Sequence, residues 1–269
     1  YCFHYPLSTH MVLRRRALSD YDSVLLVGEF QREEIRQAEK LDGTREKNLI
    51  TCGYGLLEQL ARRYEAMEKA EHTRKKLLIA PSWQPDNILD LCIHPLLEAL
   101  LGKGYDVVLR PHPEYVKRYK ARMDAIVQRY TTQSHPDLSF ELDFSVDNSL
   151  YDSDLVITDW SGTAYEFAFI TKKPVLFINT PPKINNPDYE LLTVKPLEIS
   201  LRSQIGQSLE PDDLSLATET VAYLLEHSEE YREKIETIFT QTIANFGHSG
   251  QASGQYIASA IAKKRQGRG

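Results

Sequence analysis

Cysteine is scarce in this sequence, with Cys2, Cys52 and Cys92 among 269 residues. An odd number of cysteines without metal-type spacing disfavours a disulfide framework or a zinc site, and it favours a reducing compartment. No apolar run approaches the ~20 residues that a bilayer-spanning helix needs, and the N-terminus lacks the pattern of a signal peptide. We therefore expect a cytoplasmic protein that does not span a membrane.

Positive charge is also in short supply, because 32 Lys and Arg stand against 38 Asp and Glu, for a net charge of −6. Nucleic acid is not an expected partner, and any anionic ligand must be held by local contacts. Two short basic runs, at 14–16 and 263–265, permit contact with a membrane surface, although a solvated helix face and a frayed terminus explain them more simply. The sequence begins at Tyr1 rather than Met, which is consistent with a fragment of a longer chain.

Short apolar runs alternate with amphipathic stretches along most of the chain. The runs are rich in β-branched residues and continuous rather than alternating, as in strands that are covered on both faces. This rhythm predicts an α/β chain with parallel sheets. The seven predicted strands are Ser23–Gly28, Asn48–Gly53, Lys76–Trp83, Asp106–Pro113, Leu138–Asp143, Asp154–Asp159 and Lys173–Thr180.

A polar, highly charged seam at residues 66–75 divides the chain. Two predicted strands precede it, which make half of a doubly wound domain, whereas the five strands and helical region after it make a complete one. We therefore predict a partial N-terminal Rossmann-like domain over residues 1–70 and a complete C-terminal one over residues 71–269. The stretch from Pro181 to Pro211 has little periodicity and is predicted to be a long loop with short helical turns.

Arg110 and His112 follow the fourth predicted strand, in the sequence LRPHPEY. Pro111 and Pro113 fix φ and exclude a helix until after Pro113, so both polar side chains lie on a stiff strand exit at the ligand-binding edge of the sheet. Arg110 offers a bidentate fork for phosphate, and His112 can donate to phosphate oxygens or titrate near neutrality. The structural alternative is that the prolines end a strand and His112 caps the next helix.

Asp159 ends the sixth predicted strand, and Ser161–Thr163 open the next helix, in the sequence DWSGT. Free amides and two hydroxyls converge there, and the helix dipole favours an anion, so the turn is a predicted phosphate seat. Glu166 lies one turn further on, where it either reaches a ribose or alditol hydroxyl or stays a helix-face carboxylate. Thr158 adds a hydroxyl if its side chain faces the crevice.

The same turn resembles the Asp-x-Asp-Gly-Thr motif of haloacid-dehalogenase-type phosphatases, in which the first Asp is the nucleophile. The second Asp of that motif, the general acid, is here Ser161, which cannot protonate an alkoxide with comparable effect. The motif also opens its domain in those enzymes, whereas other predicted strands precede it here. We therefore expect the turn to hold a phosphate, and a phosphatase with Asp159 as nucleophile stays the less favoured alternative.

His4 and His10 lie in the N-terminal stretch CFHYPLSTHM. A spacing of six puts them on different faces of a helix, which disfavours a metal pair. Either one is a candidate general base, and a surface or core histidine is the structural alternative for each.

Three stretches in this order, RPHP (110–113), SDLVITDWSG (153–162) and KPVLF (173–177), resemble the CDP-glycerol glycerophosphotransferase family. That family builds teichoic-acid and capsule-type polymers of alditol phosphate. The resemblance implies a GT-B-like fold, with the nucleotide held mainly by the C-terminal domain and the acceptor by the N-terminal one. It also implies transfer of glycerol phosphate from CDP-glycerol, or a related CDP-alditol, to a polymer or lipid-linked hydroxyl, without metal or cofactor.

The resemblance also assigns roles to residues. His112 contacts the pyrophosphate, and Asp159, Ser161 and Gly162 belong to the phosphate and glycerol seat. His4 best matches the histidine that is the proposed base, although the Gly-Thr that follows it in the family is missing here. Two other possibilities remain open: a GT-B glycosyltransferase that uses a nucleotide sugar, and a nucleotide-binding fragment without activity of its own.

Overall fold

The computed structural model describes residues 1–2, 6–67, 73–144 and 148–266 and divides the chain into two compact units. Unit 1 comprises Tyr1–Ala66, Ile184–Ser200 and Thr237–Gly269. Unit 2 comprises Met67–Lys183 and Leu201–Glu236. No helix in these described ranges is long and apolar enough to cross a membrane.

The elements alternate between strand and helix through most of the chain. The strands are β1 (Ser23–Leu26), β2 (Asn48–Thr51), β3 (Lys75–Ile79), β4 (Tyr105–Leu109), β5 (Leu138–Phe140), β6 (Leu155–Thr158), β7 (Val175–Ile178) and β8 (Gly206–Leu209). The helices are α1 (Phe30–Asp42), α2 (Gly55–Ala66), α3 (Ile88–Leu91), α4 (Ile93–Leu100), α5 (Pro113–Arg118), α6 (Lys120–Thr132), α7 (Asn148–Asp152), α8 (Thr163–Thr171), α9 (Leu197–Ser200), α10 (Arg202–Ile205), α11 (Ala217–Glu226), α12 (Ser228–Thr242) and α13 (Ser249–Gln266). Two 3₁₀ turns lie at Tyr189–Leu191 and Pro211–Leu216.

Unit 1 is built on the parallel pair β1 and β2, whose register runs from Ser23 opposite Asn48 to Leu26 opposite Thr51. The last part of the chain packs onto this pair: the Tyr256 hydroxyl lies 2.5 Å from Ser23 Oγ, and the Asn245 side chain donates to the Thr51 carbonyl at 2.8 Å.

The predicted domain division at residues 70 and 71 therefore differs from the observed units. The first break lies nearby, but residues 184–200 and 237–269 belong to unit 1 rather than to the C-terminal domain. The charged seam marks the first break in the sequence. The points further along, at which the chain passes from one unit to the other, have no comparable pattern in the sequence. At one of them the helix α12 simply continues from unit 2 into unit 1.

Unit 2 contains a six-stranded sheet in the order β5-β4-β3-β6-β7-β8, and every neighbouring pair is parallel. The strands β6 and β7 are buried along their whole length, as expected for strands that are covered on both faces. The chain moves outward from β3 to β4 and β5 and then returns to β3 to build β6, β7 and β8 on the other side. The topological switch point lies between β3 and β6, where ligands of open α/β sheets bind at the carboxyl edge.

An observed strand overlaps each of the seven predicted runs, so the α/β prediction with parallel sheets is confirmed. The prediction of a loop over Pro181 to Pro211 is wrong at β8, which pairs with β7 in parallel. The sequence of β8, GQSL, carries one large apolar residue because the strand lies at an edge of the sheet. Hydrophobicity alone gives no signal for such a strand.

Gly206 opens β8 at a position where no side chain fits. A Cβ on Gly206 would lie 1.8 Å from the Val175 carbonyl oxygen, so Gly206→Ala is expected to push β8 away from β7 and lower the melting temperature. Gly250→Ala is the matched control, because a Cβ there meets nothing within 4 Å and Ala favours the helix α13 by about 0.5–1 kcal/mol. Thermal unfolding checks both variants, and a Gly206→Ala protein as stable as the control would contradict the packing argument.

Candidate functional site

The carboxyl ends of β3, β4, β6 and β7 lie side by side at the switch point of unit 2. The residues that follow these strands are polar and rich in proline or glycine: PSWQP after β3, RPHP after β4, DWSG after β6 and NTPPK after β7. The observed strands are shorter than the predicted ones because these stretches leave the sheet and form its carboxyl edge. This edge is therefore the candidate site.

Asp159 is fully buried at the centre of this edge. Its Oδ1 accepts hydrogen bonds from the backbone amides of Ser82 at 2.8 Å and Trp160 at 2.6 Å, and its Oδ2 accepts from the amide of Ile88 at 3.2 Å. Backbone donors thus occupy both oxygens, and they tie the loop after β3 to the turn after β6. The geometry gives Asp159 a positioning role rather than the predicted direct contact with a donor, and it leaves no exposed carboxylate for nucleophilic attack.

Thr158 was predicted to add a hydroxyl to the site if its side chain faced the crevice. The structure corrects this expectation, because Thr158 is fully buried and its Oγ1 donates to the Ala80 carbonyl at 2.6 Å. A hydroxyl inside a strand that is covered on both faces must find an acceptor within the protein, and the neighbouring β3 chain provides it.

The turn Ser161–Thr163 opens α8, with Gly162 as the N-cap residue. Ser161 Oγ donates to Thr163 Oγ1 at 3.1 Å and accepts the Thr163 amide at 3.3 Å, so both hydroxyls hold the turn together. In the described part of the chain, no hydrogen bond uses the amides of Ser161 and Gly162. Glu166 is half-buried in the first turn of α8. The helix start therefore offers two amides and its dipole to an anion.

His112 is the N-cap residue of α5, and its Nδ1 accepts the amide of Glu114 at 3.1 Å. His112 therefore does cap the next helix, as the structural alternative predicted, but the cap uses only one of its two ring nitrogens. In the neutral ring the proton must lie on Nε2, which remains a donor. Burial lowers the pKa of His112, the positive charge of Lys183 lowers it further, and Glu114 opposes the shift. The ring is therefore a neutral N–H donor near pH 7.

Arg110 extends from the end of β4 toward Glu141. Its Nε lies 3.0 Å from Glu141 Oε1, so this edge of the guanidinium already serves an ion pair. Binding of phosphate by Arg110 would have to share the guanidinium with Glu141. The predicted bidentate fork therefore stays a prediction.

Two residues that the sequence did not single out, Trp83 and Lys183, complete the edge. The rings of Trp83 and His112 lie 6.3 Å apart, and Lys183 Nζ lies 5.5 Å from the centre of the Trp83 ring. Side chains anchor the loops that carry them: Gln84 donates to the Pro181 carbonyl at 2.9 Å, and Trp160 Nε1 donates to the Thr180 carbonyl at 2.7 Å. The exits of β3, β4, β6 and β7 are thereby connected.

Arg202 holds the turn after β6 in place through hydrogen bonds, although no motif in the sequence identifies it. It is buried, and its guanidinium donates to the Asp159 carbonyl and to Asn179 Oδ1, both at 2.8 Å. The same group lies 4.2 Å from the centre of the Trp160 ring. Burial lowers the pKa of Arg202, and the cation–π contact and the two hydrogen bonds offset part of the cost of burying its charge.

In unit 1, His4 lies outside the described residues. His10 is buried; its Nε2 lies 3.1 Å from the Val194 carbonyl, and its Nδ1 lies 3.6 Å from Glu34 Oε2. Because it is buried among these groups, His10 is a core histidine, which was the structural alternative for this residue. Burial also raises the pKa of the neighbouring Glu198 to about 7.

Comparison with known proteins supports the family that the sequence motifs resemble. The model of the family CDP-Glycerol:Poly(glycerophosphate) glycerophosphotransferase matches residues 32–183, more than half of the chain. The minor teichoic acid biosynthesis protein GgaB of Bacillus subtilis (strain 168) is 26% identical over 213 residues, which cover 68% of this chain and 21% of GgaB.

Solved structures of the wall teichoic acid polymerase TagF share the fold. One is 18% identical, with a TM-score of 0.54, and the match covers 94% of this chain and 60% of that one. A TagF variant soaked with CDPG gives 19% identity and a TM-score of 0.55, over 93% of this chain and 59% of that one. The predicted GT-B-like α/β fold class is confirmed. The chain spans about a fifth of the length of GgaB and about 60% of the length of TagF. The chain belongs to the CDP-Glycerol:Poly(glycerophosphate) glycerophosphotransferase family.

Proposed function

We propose that this protein transfers glycerol phosphate from CDP-glycerol to a hydroxyl group of a cell-surface polymer or of its lipid-linked precursor, and releases CMP. One observation carries the proposal: a neutral imidazole donor on His112 and the amide-rich start of α8 lie at one switch point of a chain of this family. Both are suited to the oxygens of a diphosphate. Teichoic acid biosynthesis by GgaB and the TagF variant soaked with CDPG support the choice of donor and product.

The reaction needs little covalent help from the protein. An acceptor oxygen attacks the β-phosphorus of CDP-glycerol, the bond from that phosphorus to the bridging oxygen breaks, and CMP leaves with the bond electrons. His112 Nε2–H and the amides of Ser161 and Gly162 stabilise the charge on the phosphate oxygens. Each such contact typically contributes a factor of about 100 to 1000 in rate.

The proton of the attacking hydroxyl must go to a base. His4 is the proposed base, on the basis of the family resemblance, and it lies outside the described residues. We assign acceptor binding to residues 1–70 and nucleotide binding to unit 2. We further propose that the reaction takes place in the cytoplasm, at the inner face of the membrane, where a lipid-linked acceptor would be found.

A labelled-donor assay tests the function. The protein is incubated with CDP-glycerol that carries label in its β-phosphate, with poly(glycerol phosphate) as acceptor, in the presence of EDTA. We expect stoichiometric release of CMP, transfer of label to the polymer and no label on the protein, because the electrostatic groups at the site belong to the chain itself. A matched incubation without acceptor measures hydrolysis of the donor.

The other assignments predict different results in this assay. A GT-B glycosyltransferase would leave CDP-glycerol intact and release a nucleotide from a sugar donor such as UDP-glucose. A phosphatase of the haloacid-dehalogenase type would need Mg²⁺ and would carry hydroxylamine-labile label on Asp159. Either result would contradict the proposed function, and the second would also contradict the positioning role of Asp159.

A further inference from the structure

We propose that Lys183 binds the diphosphate of the nucleotide donor and that the ring of Trp83 holds its ammonium group in place for this contact. The inference rests on the proposed function for the identity of the donor, but not for the anionic character of the ligand. Lys183 follows β7 at the same edge as His112 and the Ser161–Thr163 turn.

A comparison of the basic side chains around the edge distinguishes Lys183. Three arginines there have protein acceptors, namely Arg110 with Glu141 at 3.0 Å, Arg118 with Glu114 at 2.9 Å and Arg202 with the Asp159 carbonyl at 2.8 Å. Lys183 has no hydrogen-bond acceptor or ion-pair partner among the described residues. Its ammonium group instead makes a cation–π contact with the Trp83 ring. Its charge is therefore available to a ligand.

The surroundings of the Lys183 ammonium are incomplete without an anion. The side chain is half-buried, and burial lowers its pKa, while the charge of Asp159 opposes this shift. Asp159 acts on this ammonium only at a distance, because no ion pair joins the two side chains among the described residues. A cation that has lost part of its hydration gains more from an anion than an exposed lysine does.

The position of Lys183 fits a diphosphate rather than a single distant charge. Its charge lowers the pKa of His112, and the charge of Asp159 in turn raises the pKa of Lys183, so Lys183 lies within electrostatic range of both strand exits. The hydrogen bonds of Thr180 and Pro181 to the side chains of Trp160 and Gln84 fix the loop just before it. Three groups that can bind phosphate oxygens thus lie at one edge of the sheet: the Lys183 ammonium, the His112 donor and the α8 amides. A compact ammonium suits phosphate oxygens of varied geometry.

The experiment compares Lys183→Met with Arg118→Met. Arg118 is the matched control, because its guanidinium lies 5.2 Å from the centre of the same Trp83 ring but is paired with Glu114. Calorimetry measures binding of CDP-glycerol, CDP, inorganic pyrophosphate and cytidine. We expect Lys183→Met to weaken the first three by about 10- to 100-fold and to leave cytidine unchanged, because one charge-assisted contact is lost. Arg118→Met should stay within about 3-fold.

Lys183→Arg should recover part of the affinity, and Lys183→Met should melt at or above the temperature of the unmodified protein, because a partly buried ammonium is removed. Equal affinities for CDP in Lys183→Met and the unmodified protein would overturn the inference. So would equal losses in the two Met variants, which would assign the effect to packing around Trp83, or a failure of the unmodified protein to bind any of the anionic probes.

The same calorimetry, extended to UDP-glucose and combined with the labelled-donor assay, separates this inference from the proposed function. If the unmodified protein binds pyrophosphate and UDP-glucose through Lys183 but does not bind CDP-glycerol, the assignment of Lys183 stands and the proposed donor is wrong. If it binds and turns over CDP-glycerol irrespective of Lys183, the function stands and the assignment of Lys183 is wrong.

Discussion

Replacement of His112 with Ala is expected to lower the rate of glycerol phosphate transfer by about 100-fold or more, because the variant lacks the Nε2–H donor that stabilises charge on the phosphate. The same change removes the N-cap of α5, where His112 Nδ1 accepts the Glu114 amide at 3.1 Å. Loss of a cap costs about 1 kcal/mol, so a modest fall in melting temperature accompanies the loss of activity. CMP release and thermal unfolding measure the two effects.

His112→Asn separates the cap from the chemistry. Asn is a good N-cap residue and can accept the Glu114 amide, but its short side chain does not reach the position of Nε2. We expect this variant to regain the stability lost in His112→Ala while its transfer rate stays low. If His112→Asn restores both stability and activity, His112 serves only as a helix cap.

The pH dependence of stability provides a second readout of the same cap. Burial and, after it, the charge of Lys183 lower the pKa of His112, so the unfolded chain takes up the proton more readily than the folded one. The stability that the neutral ring contributes is therefore complete above the ordinary histidine pKa of about 6.5 and is lost as the pH falls below it. We expect the melting temperature of the unmodified protein to fall more between about pH 7 and about pH 5 than that of His112→Asn, which has no titrating cap.

Replacement of Asp159 with Ala is expected to cause the largest loss of stability at the site. It leaves the buried amides of Ser82 and Ile88 and the partly buried amide of Trp160 without their acceptor. A buried donor without a partner costs about 1–3 kcal/mol, so the free energy of unfolding should fall by roughly 3–5 kcal/mol. Transfer activity should fall with it, because the loop after β3 and the turn after β6 lose their common anchor. Urea denaturation and CMP release measure both losses.

Asp159→Asn is the closer control for Asp159. The Asn carbonyl oxygen can accept the amides of Ser82 and Trp160, whereas its NH₂ group would face the Ile88 amide, donor against donor. We expect a smaller loss of stability, about 1–3 kcal/mol, and partial activity. If both variants lost activity completely and kept the stability of the unmodified protein, Asp159 would be a reacting or donor-binding group, and the positioning role would be wrong.

Much of the fold could be predicted from the sequence because its determinants are local. The buried strands of unit 2 are short, continuous apolar runs, and the prolines around His112 fix the exit of β4 whatever packs against it. β8 could not be predicted, because an edge strand buries few side chains and its decisive feature is the contact of Gly206 with the Val175 carbonyl.

The sequence by itself determined the α/β class, the polar strand exits and the family motifs that place His112 and the Ser161–Thr163 turn at one edge. Only the tertiary structure decided how these residues act: Asp159 and Thr158 bond to the backbone of neighbouring loops and strands, Arg110 meets Glu141, and Lys183 lies over Trp83. The reason is that residue type fixes what a side chain can donate or accept. Which donor or acceptor it meets depends on strands far apart in the chain that become neighbours only in the folded sheet.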